Sequence, residues 1–138
     1  MRTNMTSTSP WEDIVGYSRA VVCGDQMFLA GTTATDGNGA VVAPGDMYAQ
    51  TRYVLEKIEQ VLIRANSCMA DVVQTRMFVT DISRWEEVAR AHREYFHTIR
   101  PAATMVEVAR LIHADMLVEI EITAIIGSSN RPAEGAMR

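Results

Sequence analysis

Two carboxylates, Glu119 and Glu121, lie two residues apart in the run Leu117–Ile126, which reads LVEIEITAII. A strand sends successive side chains to opposite faces. Extended, this run puts Val118, Ile120, Ile122, Ala124 and Ile126 on one wholly apolar face. Leu117, Glu119, Glu121, Thr123 and Ile125 share the other. Function is expected on that second face, where ionisable groups stand among hydrophobes. A carboxylate so placed can act as a general base that holds a water. It can equally be an interface carboxylate paired with an arginine such as Arg76 or Arg110, because a buried charge without a partner is costly. Glu121 and Glu107 read as structural. Tyr17 offers either a hydroxyl to a ligand or an aromatic cover at a sheet edge. His92 reads as a hydrogen-bonded core histidine, and His97 and His113 as solvent-facing. No two histidines have metal-ligand spacing, so no metal is expected.

The elements that must position these groups fit in one domain of 138 residues. Tyr17–Val22 and Met27–Thr33 read as strands joined by the turn Cys23-Gly24-Asp25-Gln26. Asp36–Gly45, with three glycines and a proline, is a loop with a short strand at Ala40–Val42. Apolar residues recur every three or four positions from Met47 to Ala65, which predicts a helix over 46–65 with Asp46 as its cap and Asn66 at its left-handed end. Val72–Thr80 follows as a strand. A second helix starts at Ser83, with Ser83 and Glu86 as a capping box. Its stripe is Trp85, Val88, His92, Tyr95, Phe96 and Ile99, and Pro101 ends it. Strands at Thr104–Leu111 and Leu117–Ile126 close the fold as a hairpin around His113–Asp115.

That order is an α+β sandwich, β-β-α-β-α-β-β, with a mixed sheet and two helices on one face. The other face carries Glu119, Glu121 and one alternating set from the preceding strand, Met105, Glu107, Ala109 and Leu111 or their neighbours. Its Leu, Met and Ile would stay wet in a monomer, so a second copy of the chain is expected to cover it. Residues 1–12 are expected to be a flexible segment, 13–127 the folded domain, and 128–138 a flexible tail.

Composition narrows the classes. The net charge is −4 and no Lys/Arg-rich run occurs, so nucleic-acid binding is disfavoured. Cys23 and Cys68 fit no metal or redox spacing and are expected to be small, buried or half-buried hydrophobes. No apolar stretch is long enough to cross a bilayer, and residues 1–10 lack the hydrophobic core of a signal peptide, so the cytoplasm is the expected location.

The pieces Gly16-Tyr17-Ser18-Arg19-Ala20, Leu29-Ala30-Gly31, Gly45-Asp46, Gln50-Thr51-Arg52 and Val54-Leu55-Glu56-Lys57-Ile58 form a series. It continues through Asp71-Val72-Val73, Phe78-Val79-Thr80-Asp81, Glu94-Tyr95-Phe96, Arg100-Pro101-Ala102 and Val118-Glu119-Ile120-Glu121. In this order and spacing, from Val15 to Ile126, the chain resembles the Rid family (reactive intermediate deaminases), also called the YjgF family and once labelled endoribonuclease L-PSP. The resemblance implies a chorismate-mutase-like subunit and a homotrimer whose sheets form a barrel, with small-molecule clefts between subunits. Active members hydrolyse 2-imino acids to 2-keto acids and ammonia without a metal or organic cofactor. The resemblance assigns Glu119 to positioning the attacking water and Tyr17 to the cleft lining, and it places Gly31, Thr32, Ala103 and Met105 at the ligand.

Three positions depart from the family pattern. Ala103 stands where active members carry the arginine that clamps the substrate carboxylate, Met105 where a cysteine is common, and Ala89 where an asparagine is frequent. A guanidinium holds a carboxylate by two parallel charge-assisted bonds that alanine lacks. Arg100 lies three residues from Ala103, and on an extended segment that odd offset turns it to the opposite face. Two functions follow as expectations. One is hydrolysis of an imine or enamine that lacks the usual carboxylate or binds it otherwise. The other is a non-catalytic module that holds a small metabolite.

Overall fold

Residues 1–130 are described by the computed structural model, and residues 131–138 of the expected tail lie outside the described residues. The elements in order are β1 (Arg2–Met5), α1 (Trp11–Val15), β2 (Ala20–Cys23), β3 (Gln26–Thr33), α2 (Met47–Arg64), β4 (Val72–Val79), α3 (Trp85–Phe96), β5 (Ala102–Glu107) and β6 (Val118–Ile125). One six-stranded mixed sheet has the order β1-β2-β3-β6-β4-β5. The α+β architecture with α2 and α3 against one face is the one the residue pattern implies.

The alternation of β6 holds throughout. Val118, Ile120, Ile122 and Ala124 are buried under the helices, and Glu119, Glu121, Thr123 and Ile125 are half-buried on the open face. Helix α2 turns Met47, Val54, Leu55, Ile58 and Leu62 into the core, each fully buried. The Asp46 carboxylate caps it, accepting the Ala49 amide at 2.9 Å, and Asn66 adopts φ 58° just beyond its end. In the α3 stripe Val88 and Phe96 are buried, Ala91 is buried with them, and Trp85 is exposed. His92 is half-buried among them and bonds the Thr75 hydroxyl through Nε2 at 2.9 Å, while burial pushes its pKa down.

Several local expectations are corrected. The closing strands do not form a hairpin: β5 runs parallel to β4, while β6 lies antiparallel between β3 and β4. The crossover through α3 satisfies β5 at the sheet edge, and residues 108–117 then carry the chain back two strands. Since Met105 and Glu107 register with Met77 and Val79, it is Thr104 and Val106 that share the open face with Arg76 and Phe78. The capping box at Ser83 does not form. Asp81, two residues earlier, accepts both the Ser83 amide and hydroxyl and starts a short 3-10 turn at Ile82–Arg84. Arg2–Met5, read as loose, pairs with β2. Cys23 and Cys68 are exposed free thiols, one at a strand end and one ahead of a 3-10 turn.

Residues Ser128–Asn130, at the start of the expected tail, form a 3-10 turn tied to Asp71. The buried Asp71 carboxylate accepts the Ser67 hydroxyl at 2.7 Å and the Gly127 and Ser129 amides at 3.1 and 3.0 Å. Burial opposes its ionisation, but these bonds together outweigh it and hold the pKa down at about 2. A carboxyl with a depressed folded-state pKa stabilises the fold above its unfolded value and loses that contribution as pH falls through the folded one. Urea unfolding is therefore expected to show a loss of at most about 2 kcal/mol between about pH 4 and pH 2 that the Asp71→Asn variant lacks.

Candidate functional site

The site grows from an irregularity between β3 and β6. Leu29 pairs with Ile122 and Thr32 with Ile120, so Ala30 and Gly31 together face Glu121 alone. A bulge of this kind re-aims the side chains beside it. Past it, Glu119 is the partner of Thr33 on β3 and Phe78 on β4. Its side chain folds over the bulge onto Gly31. A Cβ at residue 31 would stand 2.9 Å from the Glu119 carboxyl carbon and 3.1 Å from its Cγ, closer than side chains pack. Gly31 does not occupy the left-handed backbone region, so the residue is glycine for space.

Arg19 reaches the same point from the chain segment before β2, donating from Nη2 to the Gly31 carbonyl at 2.7 Å. Its guanidinium carbon lies 5.8 Å from the centre of the Tyr17 ring. Across from it, Lys57 of α2 donates from Nζ to the Thr33 and Thr35 carbonyls at 2.9 Å each and to the Thr35 hydroxyl at 3.1 Å. Together these residues line a cleft of about 610 Å³. Trp11, Ile14 and Tyr17 line it, as do Ile112, His113 and Met116 of the loop before β6.

The electrostatics follow from depth. Burial raises the Glu119 pKa, Arg19 pulls it down and Glu121 adds to the rise, with a net upward shift. Burial, with the nearby Arg19 charge, pushes the Lys57 ammonium down to about 8 against the attraction of Asp36. Within the chain Arg76 pairs with Glu121, not Glu119, at 3.1 Å on the open face. Glu107, as expected, serves structure, accepting the Ile82 amide at 3.0 Å.

The expected site residues separate into two groups. Tyr17, Gly31 and Glu119 meet in the cleft. Thr32 turns inward, buried, with its hydroxyl on the Ala30 carbonyl at 3.1 Å. Ala103 and Met105 lie on β5, two strands from Glu119, in register with Thr75 and Met77 on the helix side. Arg100 bonds the His97 carbonyl at 2.8 Å at the end of α3 and stays out of the cleft. Arg19 and Lys57 lie within the family pieces Gly16–Ala20 and Val54–Ile58 but were given no role of their own. A cation inside an apolar strand run, and a lysine flanked by Val54 and Val61 at helical spacing, were the available signals. Among the described residues no three His, Cys, Asp or Glu side chains gather as a metal site.

A sequence model of the Endoribonuclease L-PSP family matches residues 7–126. The chain belongs to the YjgF/Rid family. A RutC family protein from Pyrococcus horikoshii is 35% identical over 108 residues, which is 78% of this chain and 85% of that one. Rv2704 from Mycobacterium tuberculosis, described as a member of the YjgF/YER057c/UK114 family, has a structure similar at TM-score 0.83 and 47% identity, covering 91% of this chain and all of that one. A Rid family protein from Yersinia pestis superposes at TM-score 0.81 with 30% identity over 91% of this chain and 100% of its own. The chorismate-mutase-like sandwich is thus the fold of this family member.

Proposed function

We propose that this Rid-family chain forms a homotrimer, holds a small metabolite in clefts between subunits, and hydrolyses an imine or enamine there. The observation that carries this reading is the Glu119 carboxylate. It lies in the cleft beside Tyr17 and Gly31, and among the described residues it takes no ion-pair partner. With its pKa raised by burial it is a better proton acceptor than an ordinary surface glutamate. Glu119 accepts a proton from water as the oxygen bonds to the imine carbon and the C=N π pair passes to nitrogen; the carboxyl returns that proton to nitrogen, then relays the hydroxyl proton to it as the C–N bond breaks, so that ammonia leaves, the carbonyl forms and Glu119 is again ionised. The test is release of ammonia from imines generated in situ by a coupled amino-acid oxidase. A rate no higher than the uncatalysed background for a broad set of imines sinks the catalytic reading.

The second reading, a module that binds without turnover, is favoured by Ala103 and Met105, which remove charge and a thiol from the edge strand. A ligand that binds only the native state raises the melting temperature. A metabolite panel that produces such shifts without turnover supports this reading over the first.

The trimer is supported by the open sheet face. Phe28 and Val106 are 46% and 42% exposed there, and Val73 is exposed beside them. Light scattering is expected to give three times the subunit mass of 15.3 kDa. A single-subunit mass at micromolar concentration overturns the assembly, and with it the placing of the clefts between subunits.

A further inference from the structure

We propose that Lys57 is a covalent capture site for an uncharged, apolar aldehyde, whose carbonyl carbon its amine takes as an imine. The inference goes beyond the hydrolytic reading of the cleft. It needs the cavity and the amine, and no turnover by Glu119.

The first observation is in the composition. The chain holds thirteen lysines and arginines in all, and Lys57 alone is lysine. An arginine stays charged at any working pH, whereas a lysine amine can lose its proton and become a nucleophile. The one residue with that capacity is half-buried on α2 and lines the cleft of about 610 Å³. Burial and the Arg19 charge lower its pKa to about 8 against the pull of Asp36. A useful fraction is therefore free amine near neutral pH.

The contacts of Nζ set how that amine is held. As an ammonium it donates to the Thr33 and Thr35 carbonyls at 2.9 Å each and to the Thr35 hydroxyl at 3.1 Å. The free amine keeps two N–H groups, one for each carbonyl. Its lone pair then stands where the third proton was, toward a hydroxyl that can rotate. Thr35 and Lys57 both line the cleft, so turning that side chain aside bares the lone pair to the cavity.

The capture step needs no further reagent. The Nζ lone pair bonds to the aldehyde carbon, and the C=O π pair passes to oxygen. One amine proton moves to that oxygen, giving a carbinolamine. The nitrogen pair then forms C=N as the C–O bond breaks, and the second amine proton leaves with the hydroxyl as water. Protonated from solvent, the imine nitrogen regains one N–H for the Thr33 or Thr35 carbonyl.

The walls set the ligand class. Trp11, Ile14 and Ile112 line the cleft and are 42%, 70% and 65% exposed, which is apolar area for a ligand to cover. Charge argues against an anion. With Lys57 in its reactive neutral form, the Arg19 cation stands against the carboxylates of both Asp36 and Glu119, so an anionic carbonyl compound meets an excess of negative charge. The other titratable groups lining the cleft are Tyr17, Tyr53 and His113.

The test is reductive labelling of the full chain with benzaldehyde and cyanoborohydride, read by intact mass and by mapping of the digest. One benzyl group is expected on the fragment that carries Lys57. Near neutral pH it is expected to form at least about tenfold faster than on acetyl-lysine amide in the same solution, because a lowered pKa raises the free-amine fraction. The rate is expected to level off above about pH 8, and the advantage over the model amine is expected to vanish in urea. Measured against that amine, 4-carboxybenzaldehyde is expected to label Lys57 more slowly than benzaldehyde does. No adduct at Lys57, a rate no higher than that of the model amine, or an advantage that survives unfolding overturns the capture site. A preference for the charged aldehyde overturns the ligand class. Labelling needs no release of ammonia, so imine hydrolysis can fail while this adduct forms, and the adduct can be absent from an active hydrolase.

Discussion

A Glu119→Gln variant is expected to fold and to hydrolyse imines about 10²- to 10⁴-fold more slowly than the wild type, the range a positioned general base supplies. Glutamine keeps the volume of the side chain and can still hold a water, but its amide oxygen cannot accept a proton at useful pH. No described ion pair is lost, so the substitution removes chemistry and leaves the β3–β6 pairing intact. The wild-type rate has a matching pH dependence. Only the ionised carboxylate works as a base, and burial raises its pKa. The rate is therefore expected to rise with pH through an inflection above the ordinary carboxylate range, and that limb is expected to vanish in Glu119→Gln. Unchanged kcat/KM in the variant ends the assignment of Glu119 as the base. Unchanged kcat with raised KM instead assigns it to uniform binding.

What was legible in the sequence had a local period. The two-residue alternation of β6 and the three- and four-residue spacing of α2 each follow from one element facing one core, and both survive in the fold. Asp46 and Asn66 were legible because a helix end draws on side chains within its own turn. The place of β5 was not. Its residues have strand character, but whether they pair with β6 across a turn or with β4 through a crossover depends on long-range partners. The first choice gives a hairpin, and the second is the observed parallel edge. Asp81 displaced the expected cap at Ser83 because an aspartate two residues ahead accepts the same amide. At the site, Glu119 and Tyr17 were legible by residue type. Arg19 and Lys57 were hidden because their meaning lies in what they meet. Arg19 matters through the Gly31 carbonyl, twelve residues on, and Lys57 through the loop at Thr33–Thr35.

Gly31→Ala separates the site from the fold. Alanine suits an extended backbone, and Gly31 lies outside the left-handed region, so the change in strand propensity is worth no more than about 1 kcal/mol. What the new methyl meets is the carboxyl end of Glu119, at 2.9 Å from its carbon, together with its Cγ at 3.1 Å. A flexible carboxylate yields where a backbone could not, so the collision is relieved by swinging Glu119 away from the bulge. Stability is spared because the atom that moves is a side-chain tip bordering an open cleft. Catalysis is not, since a displacement of about 1 Å in a reacting group costs on the order of 10²-fold. Arg19, anchored to the residue 31 carbonyl, is left in place, while imine hydrolysis is expected to fall about a hundredfold. A melting temperature close to wild type together with lost turnover locates the reacting group above Gly31. Full activity in Gly31→Ala means that the carboxylate works from some other position, and the closeness of Glu119 to this glycine then has no part in the reaction.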